Sequence, residues 1–308
     1  MKKMMFLAAA AVVVLSGCVK SEGVDLGGKK AIGFKAFNEV AARGPIESTD
    51  YPAGGKFVVF SVLDNGSTAY FAPTVFSDGD SNSEWSGETP RYWPSTGVLD
   101  FAAYHPASLD GVVTPTYSSG IASIKIENID NQNAQDDIMF SNLVDNANCA
   151  AHATQPMVFN HALAWIEIHV EAEKANLFKV TSLKLNNTVQ GGTLTITPAA
   201  TSTAAWSAPT AGVDMPIVES ATDVPTTAAK IGNDVLVVPG VQTSIDLTYT
   251  LDGVEITHPT INLSANDAQW LMGKKYVYTI NFSVNEITFT PSVVNSWNPA
   301  VPVEGGTI

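Results

Sequence analysis

The chain has 308 residues, is 45% hydrophobic and carries a formal net charge of −14. That length and apolar content suffice for one large core or two smaller ones. Nine basic against 27 acidic side chains over 44–308 exclude nucleic acid and anionic membranes as partners.

The first 18 residues, "MKKMMFLAAAAVVVLSGC", combine two lysines with an apolar run from Met4 to Leu15 that is too short to span a bilayer. This is a secretory signal, residues 1–17, ending in "LSGC". Those four residues resemble a bacterial lipobox, in which the Cys18 thiol takes a lipid. With Cys18 acylated, only Cys149 remains, so no intramolecular disulfide forms and the core must supply the stability. A short strand-like segment, "AIGFKAFN" (31–38), comes next. Behind it lies Arg43, one of two arginines in the chain, in the small-residue setting "AARGP".

Beyond Arg43 the chain reads as β almost throughout. "KFVVFSVLD" (56–64), "AYFAPTVF" (69–76), "VLDFAAYHP" (98–106) and "IASIKIENI" (121–129) are runs of β-branched and aromatic residues punctuated by Gly, Pro, Asn and Asp. A polar stretch at 144–156 reads as a linker. After it come 157–173, 178–188, 192–197, 234–240, 244–257, 276–284 and 286–297. Within "AWIEIHVEAE", Ile166, Ile168 and Val170 alternate with Glu167, His169 and Glu171, as in a half-buried strand, and Trp165 breaks the pattern. The helical period is weak everywhere, with one or two turns expected at most in 266–275. The fold class is all-β, and the length favours two β-sandwiches over one.

Catalytic signatures are missing: the chain has no HExxH, GxSxG, P-loop or CxxC pair, and the expected function is not enzymatic. No cofactor and no metal site is expected. His161 and His169 read as structural histidines and Cys149 as a half-buried bystander. "DGDSNSE" alternates Asp78, Asp80, Asn82 and Glu84 in the manner of calcium ligands, but Ser83 and Thr89 stand where an EF-hand loop needs Gly and Glu. Trp85, Tyr92 and Trp93 crowd "EWSGETPRYWP", and as exposed rings they would stack on sugars. The alternative function is therefore a surface-anchored glycan-binding lipoprotein.

The order of several motifs resembles the fimbrillin-type subunits of type V pili in the Bacteroidales. The lipobox is followed by the strand-like 31–38 and an arginine. "LDFAAYHP" (99–106), "DIMFSN" (137–142), "VFNHALAWIEIHV" (158–170) and the closing "YVYTINFSVNEITFTPSVVNSW" (276–297) fall in the family's sequence. The resemblance implies two transthyretin-like β-sandwich domains in tandem, 44–150 and 151–308, behind a pro-segment at 18–43. It implies that an arginine-specific protease cuts after Arg43 and makes Gly44 the new N-terminus. Ile32, Phe34 and Phe37 would then be the plug that leaves a groove open, to be filled by a strand from another subunit of the same or a different kind. The donor candidates are Ile287 and Phe289, or Val301, Val303 and Ile308 of the tail. The expected place is the outer membrane and the fimbria at the cell surface. The precursor carries a lipid anchor, and adhesion is directed at a host or bacterial surface ligand.

Overall fold

The computed structural model describes residues 30–38, 51, 55–79, 84–150, 154–263 and 269–294. Among them are twenty-four strands and no helix, so the chain is all-β. The first ten strands are β1 (Gly33–Asn38), β2 (Lys56–Leu63), β3 (Thr74–Ser77), β4 (Trp85–Gly87), β5 (Leu99–His105), β6 (Val112–Tyr117), β7 (Ile121–Asp130), β8 (Met139–Ser141), β9 (Val144–Ala147) and β10 (Thr154–His161). Eight of them form one sheet in the order β2–β3–β4–β1–β10–β8–β5–β9, and β5 also pairs with β2, which closes the sheet into a barrel. The ring joins seven strands, and several of its pairings, such as β1 with β4 and β5 with β8, span only two residues. The interior is aromatic: Phe34, Phe57, Phe76, Trp85, Phe101 and Phe159 are buried together.

β2 and β5 are buried on both faces, and for that reason they read as continuous apolar runs rather than alternating ones. Their outward side chains, Val58, Phe60, Val62, Ala102 and Tyr104, belong to a second core with Ile124, Ile126 and Ile129 of β7. The sheet over that core also recruits β13 (Gly191–Thr197) and β14 (Thr203–Ser207), giving β14–β13–β7–β6. At Gly191 strands β13 and β7 approach so closely that a Cβ would lie 1.9 Å from the Ile129 carbonyl oxygen, so only glycine fits.

The remaining strands are β11 (Ala164–Ala172), β12 (Phe178–Thr188), β15 (Val213–Val218), β16 (Thr222–Asp223), β17 (Ala229–Lys230), β18 (Val235–Val237), β19 (Gly240–Val241), β20 (Ser244–Leu251), β21 (Val254–Asn262), β22 (Gln269–Trp270), β23 (Lys275–Phe282) and β24 (Ile287–Val294). One sheet runs β17–β11–β23–β24 with β18 also on β11, and the other β15–β12–β20–β21 with β16 on β12. They enclose a third core, in which Ile166, Ile168, Val170, Leu183, Leu247 and Ile280 are buried. Trp165 faces the other way. It is buried with Phe60 and Tyr104 in the second core, and the Lys275 ammonium sits 3.5 Å from its ring centroid. The break in alternation at Trp165 is thus a side chain of β11 that packs against the barrel.

Two local expectations are corrected. The stretch 144–156 does not behave as a linker: Val144–Ala147 is β9 and Thr154–Pro156 opens β10, both in the first sheet. Backbone pairing holds these polar residues, and hydropathy does not register it. In place of helical turns, Gln269–Trp270 is extended and pairs with Gly240–Val241.

Candidate functional site

The strand before Arg43 is built into the barrel wall. Alternation in "AIGFKAFN" turns Ile32, Phe34 and Ala36 inward, where they are 1%, 0% and 5% exposed, and leaves Lys35 outside. The Phe34 ring meets Phe76 and Phe101 edge-on at 5.0 and 5.1 Å between centroids. Burying an isoleucine and a phenylalanine removes roughly 1.5–3 kcal/mol each of apolar exposure. Outside the wall, Lys35 Nζ reaches Glu84 at 4.0 Å, an exposed pair of small value.

Both edges of this strand are engaged. β1 runs parallel to β10 over six residues, from Gly33 opposite Thr154 to Asn38 opposite Phe159. On the other side it is antiparallel to β4, with Gly33 opposite Ser86 and Phe34 opposite Trp85. The pairing continues upstream: the Ile32 amide donates to the Arg91 carbonyl at 2.8 Å, and the Trp93 amide donates to the Lys30 carbonyl at 3.0 Å. Phe37 pairs through its backbone with Val158.

The chain re-enters the barrel at Tyr51, which is 3% exposed. Its ring packs against Phe57, Trp85 and Phe159 at 5.0–5.4 Å, and its hydroxyl contacts His105 Nδ1. Burial, and then the charge of Asp137, push the Tyr51 hydroxyl pKa up, while burial pushes His105 down, so both are held neutral. Asn38 and Tyr51 are therefore both fixed in the barrel, on either side of the segment that holds Arg43.

Several sequence-predicted residues lie outside the described residues: Cys18, Arg43, Gly44, Val301, Val303 and Ile308. Ile287 and Phe289 lie on β24, an edge strand antiparallel to β23. Both are partly buried against the third core, and Phe289 stacks on Tyr278 with centroids 5.4 Å apart.

The aromatic trio is not a sugar platform. Trp85 is 1% exposed, with its indole N–H donating to the Gly55 carbonyl at 2.8 Å, and Trp93 is 7% exposed and edge-on to Phe101. Tyr92 is half-buried and bridges to Ala31. Trp85 turns inward as the first residue of β4 and Trp93 from the loop that follows it, which their polar neighbours in the sequence concealed. The calcium-like alternation also dissolves: Asp78 is buried, Glu84 faces Lys35, and Asp80 and Asn82 lie outside the described residues. His161 on β10 pairs with Asp137 at 2.8 Å, His169 on β11 contacts Glu167 at 2.5 Å, and Cys149 packs half-buried on the barrel core. What residue type alone could not reveal was the role of the loop between β4 and β5, whose residues 91–93 complete the slot around the first strand.

The fold has solved counterparts. A fimbrial protein from Bacteroides vulgatus superimposes with a TM-score of 0.58 at 14% identity, covering 87% of this chain and 99% of that one. A proposed cell adhesion protein from Bacteroides uniformis does so with a TM-score of 0.58 at 17% identity, covering 87% and 99%. Another from Bacteroides ovatus gives 0.51 at 13% identity, covering 87% and 98%. At these identities the likeness speaks for the fold alone. Comparison with curated protein sequences finds no match. The fimbrillin-like family model matches residues 48–297, most of the chain from just before Tyr51 to beyond β24, and on that extent the chain belongs to the fimbrillin-like family.

Proposed function

We propose that the chain is a structural subunit of a cell-surface fimbria, made of two transthyretin-like β-sandwiches in tandem and serving adhesion. In this reading it is exported as a lipoprotein through Cys18 and cut after Arg43 by an arginine-specific protease. It then joins another subunit by strand exchange. The observation that carries it is the position of the first strand, which stands directly upstream of Arg43 with Ile32, Phe34 and Ala36 inside the barrel. Taking that strand away would bare the inward faces of Phe57, Phe76 and Phe101 and orphan backbone groups on β10 and β4, a state that another apolar strand would relieve. Family membership and the fold shared with a fimbrial protein support the same role.

Donor-strand complementation also needs a segment to give. Ile287 and Phe289 already complete their own sandwich, which favours the residues beyond β24, with Val301, Val303 and Ile308, as the donor. N-terminal sequencing of protein taken from the cell surface tests the processing step. A start at Gly44 is expected, whereas a retained acylated Cys18 on all of the protein would refute it.

A further inference from the structure

The chain holds two arginines, and the second, Arg91, sits against the strand that the first is proposed to release. Arg91 lies in the loop between β4 and β5, residues 88–98, with Pro90 and Pro94 on either side. That loop is irregular except where it meets residues 30–32. There the Arg91 carbonyl accepts the Ile32 amide at 2.8 Å, the Trp93 amide donates to Lys30, and Ala31 bridges to Tyr92. An endopeptidase must take the scissile carbonyl into its oxyanion hole and hold the flanking residues as an extended strand. The Arg91 carbonyl cannot do that while it accepts the Ile32 N–H.

We propose that Arg91 is a second, conditional processing site: an arginine-specific endopeptidase cuts Arg91–Tyr92 only when the slot of the first strand is empty. The proposal rests on the reading above for how that strand normally leaves. Once the strand is gone, Arg91 and Trp93 lose their strand partner, and Trp93 loses the buried Ile32 and Phe34 from its core. Outside the slot the loop keeps only side-chain and single backbone contacts, among them Trp93 edge-on to Phe101 at 5.8 Å. The Arg91 guanidinium donates to Thr74 Oγ1 at 2.8 Å and lies 5.3 Å from the Phe71 ring centroid, and the Tyr70 hydroxyl donates to the Tyr92 carbonyl at 3.1 Å. Contacts of this kind leave a loop at the low-stability end of a fold, where proteolysis follows the open population. A strand from another subunit would supply an amide at the place of Ile32 and close the site again. Subunits that had lost their own strand and gained no other would be cut, and the same enzyme class would both mature and clear them.

The full chain is treated with an arginine-specific endopeptidase and the products are followed by intact mass. A fragment starting at Gly44 should appear first and one starting at Tyr92 later. A synthetic peptide of residues 30–38, which contains no arginine, should slow the second cut in excess. Arg43→Lys should slow cutting at Arg91 by about tenfold or more, and adding Phe34→Asp to Arg43→Lys should restore it by loosening the strand without the first cut. Equal Tyr92 product with and without Arg43→Lys overturns the proposal, as does no Tyr92 product once the strand is displaced. A lysine-specific endopeptidase separates local from global opening, because Lys184 lies within β12 of the second sandwich. Cutting at Lys184 in step with Arg91 also overturns it. Failure to obtain a Gly44 start sinks the Arg43 reading alone, since the double variant tests Arg91 without it.

Discussion

Phe34 is the most deeply buried side chain among the described residues of the first strand. It is fully buried and its ring meets three phenylalanines of the barrel, so Phe34→Ala should cost the unprocessed chain about 3–5 kcal/mol in urea unfolding. A loss below about 1 kcal/mol would contradict its place in the core. Glu167 gives a pH prediction. Burial raises its pKa, but hydrogen bonds from His169 and from Lys275, whose Nζ is 3.0 Å away, outweigh burial and hold it below the usual glutamate value. A depressed folded-state pKa stabilises above the unfolded value and loses that contribution as pH falls through the folded one. Stability should therefore drop as pH falls through and below the ordinary glutamate value of 4.5, and Glu167→Gln should flatten that drop while costing about 2 kcal/mol at neutral pH. Equal acid sensitivity of the variant and the unmodified chain would refute the assignment. Phe34 was named in the sequence only through the family resemblance, and Glu167, on the face opposite Ile166, Ile168 and Val170, is buried at 8% exposure. The split between those two faces of β11 was legible in the alternation. The inward turn of Trp85 and Trp93 was not, because the neighbours that decide it come from other parts of the chain.

At the scale of elements, the runs rich in β-branched and aromatic residues at 56–64, 98–106, 121–129 and 178–188 became β2, β5, β7 and β12 within a residue or two. The expected strand at 244–257 became the hairpin β20–β21, turning at Asp252-Gly253, where both residues have positive φ. Strands such as β6, β9 and β14 are rich in Thr, Ala, Asn or Pro and carry no apolar period, so only pairing with neighbours reveals them. The sheet β14–β13–β7–β6 depends on one close approach. Gly191→Ala should destabilise the chain by at least about 2 kcal/mol, since the added methyl meets a backbone carbonyl that cannot step aside. A variant of unchanged midpoint in denaturant would show that β13 and β7 separate freely.

Across the whole molecule, the second core joins strands far apart in sequence: Phe60 and Tyr104 of the barrel pack with Trp165, Leu236 and Val238. Trp165→Ala should cost about 3–5 kcal/mol. It should also split thermal unfolding into two transitions, because it removes the largest side chain that β11 sends to the second core. A single calorimetric transition in the variant would show that the halves remain coupled by other means. The sequence by itself determined the all-β class and the order of a strand followed by an arginine, because each is a local pattern of hydropathy, β propensity or residue type along the chain. Only the tertiary structure decided that the strand before Arg43 is a wall stave of a closed barrel, that Arg91 and Trp93 hold it from the far side, and that Trp85 and Trp93 face the core. Those facts depend on backbone pairing between residues some sixty to 120 positions apart, such as Ile32 with Arg91 and Phe34 with Gln155, and no local pattern in the chain encodes which strands will meet.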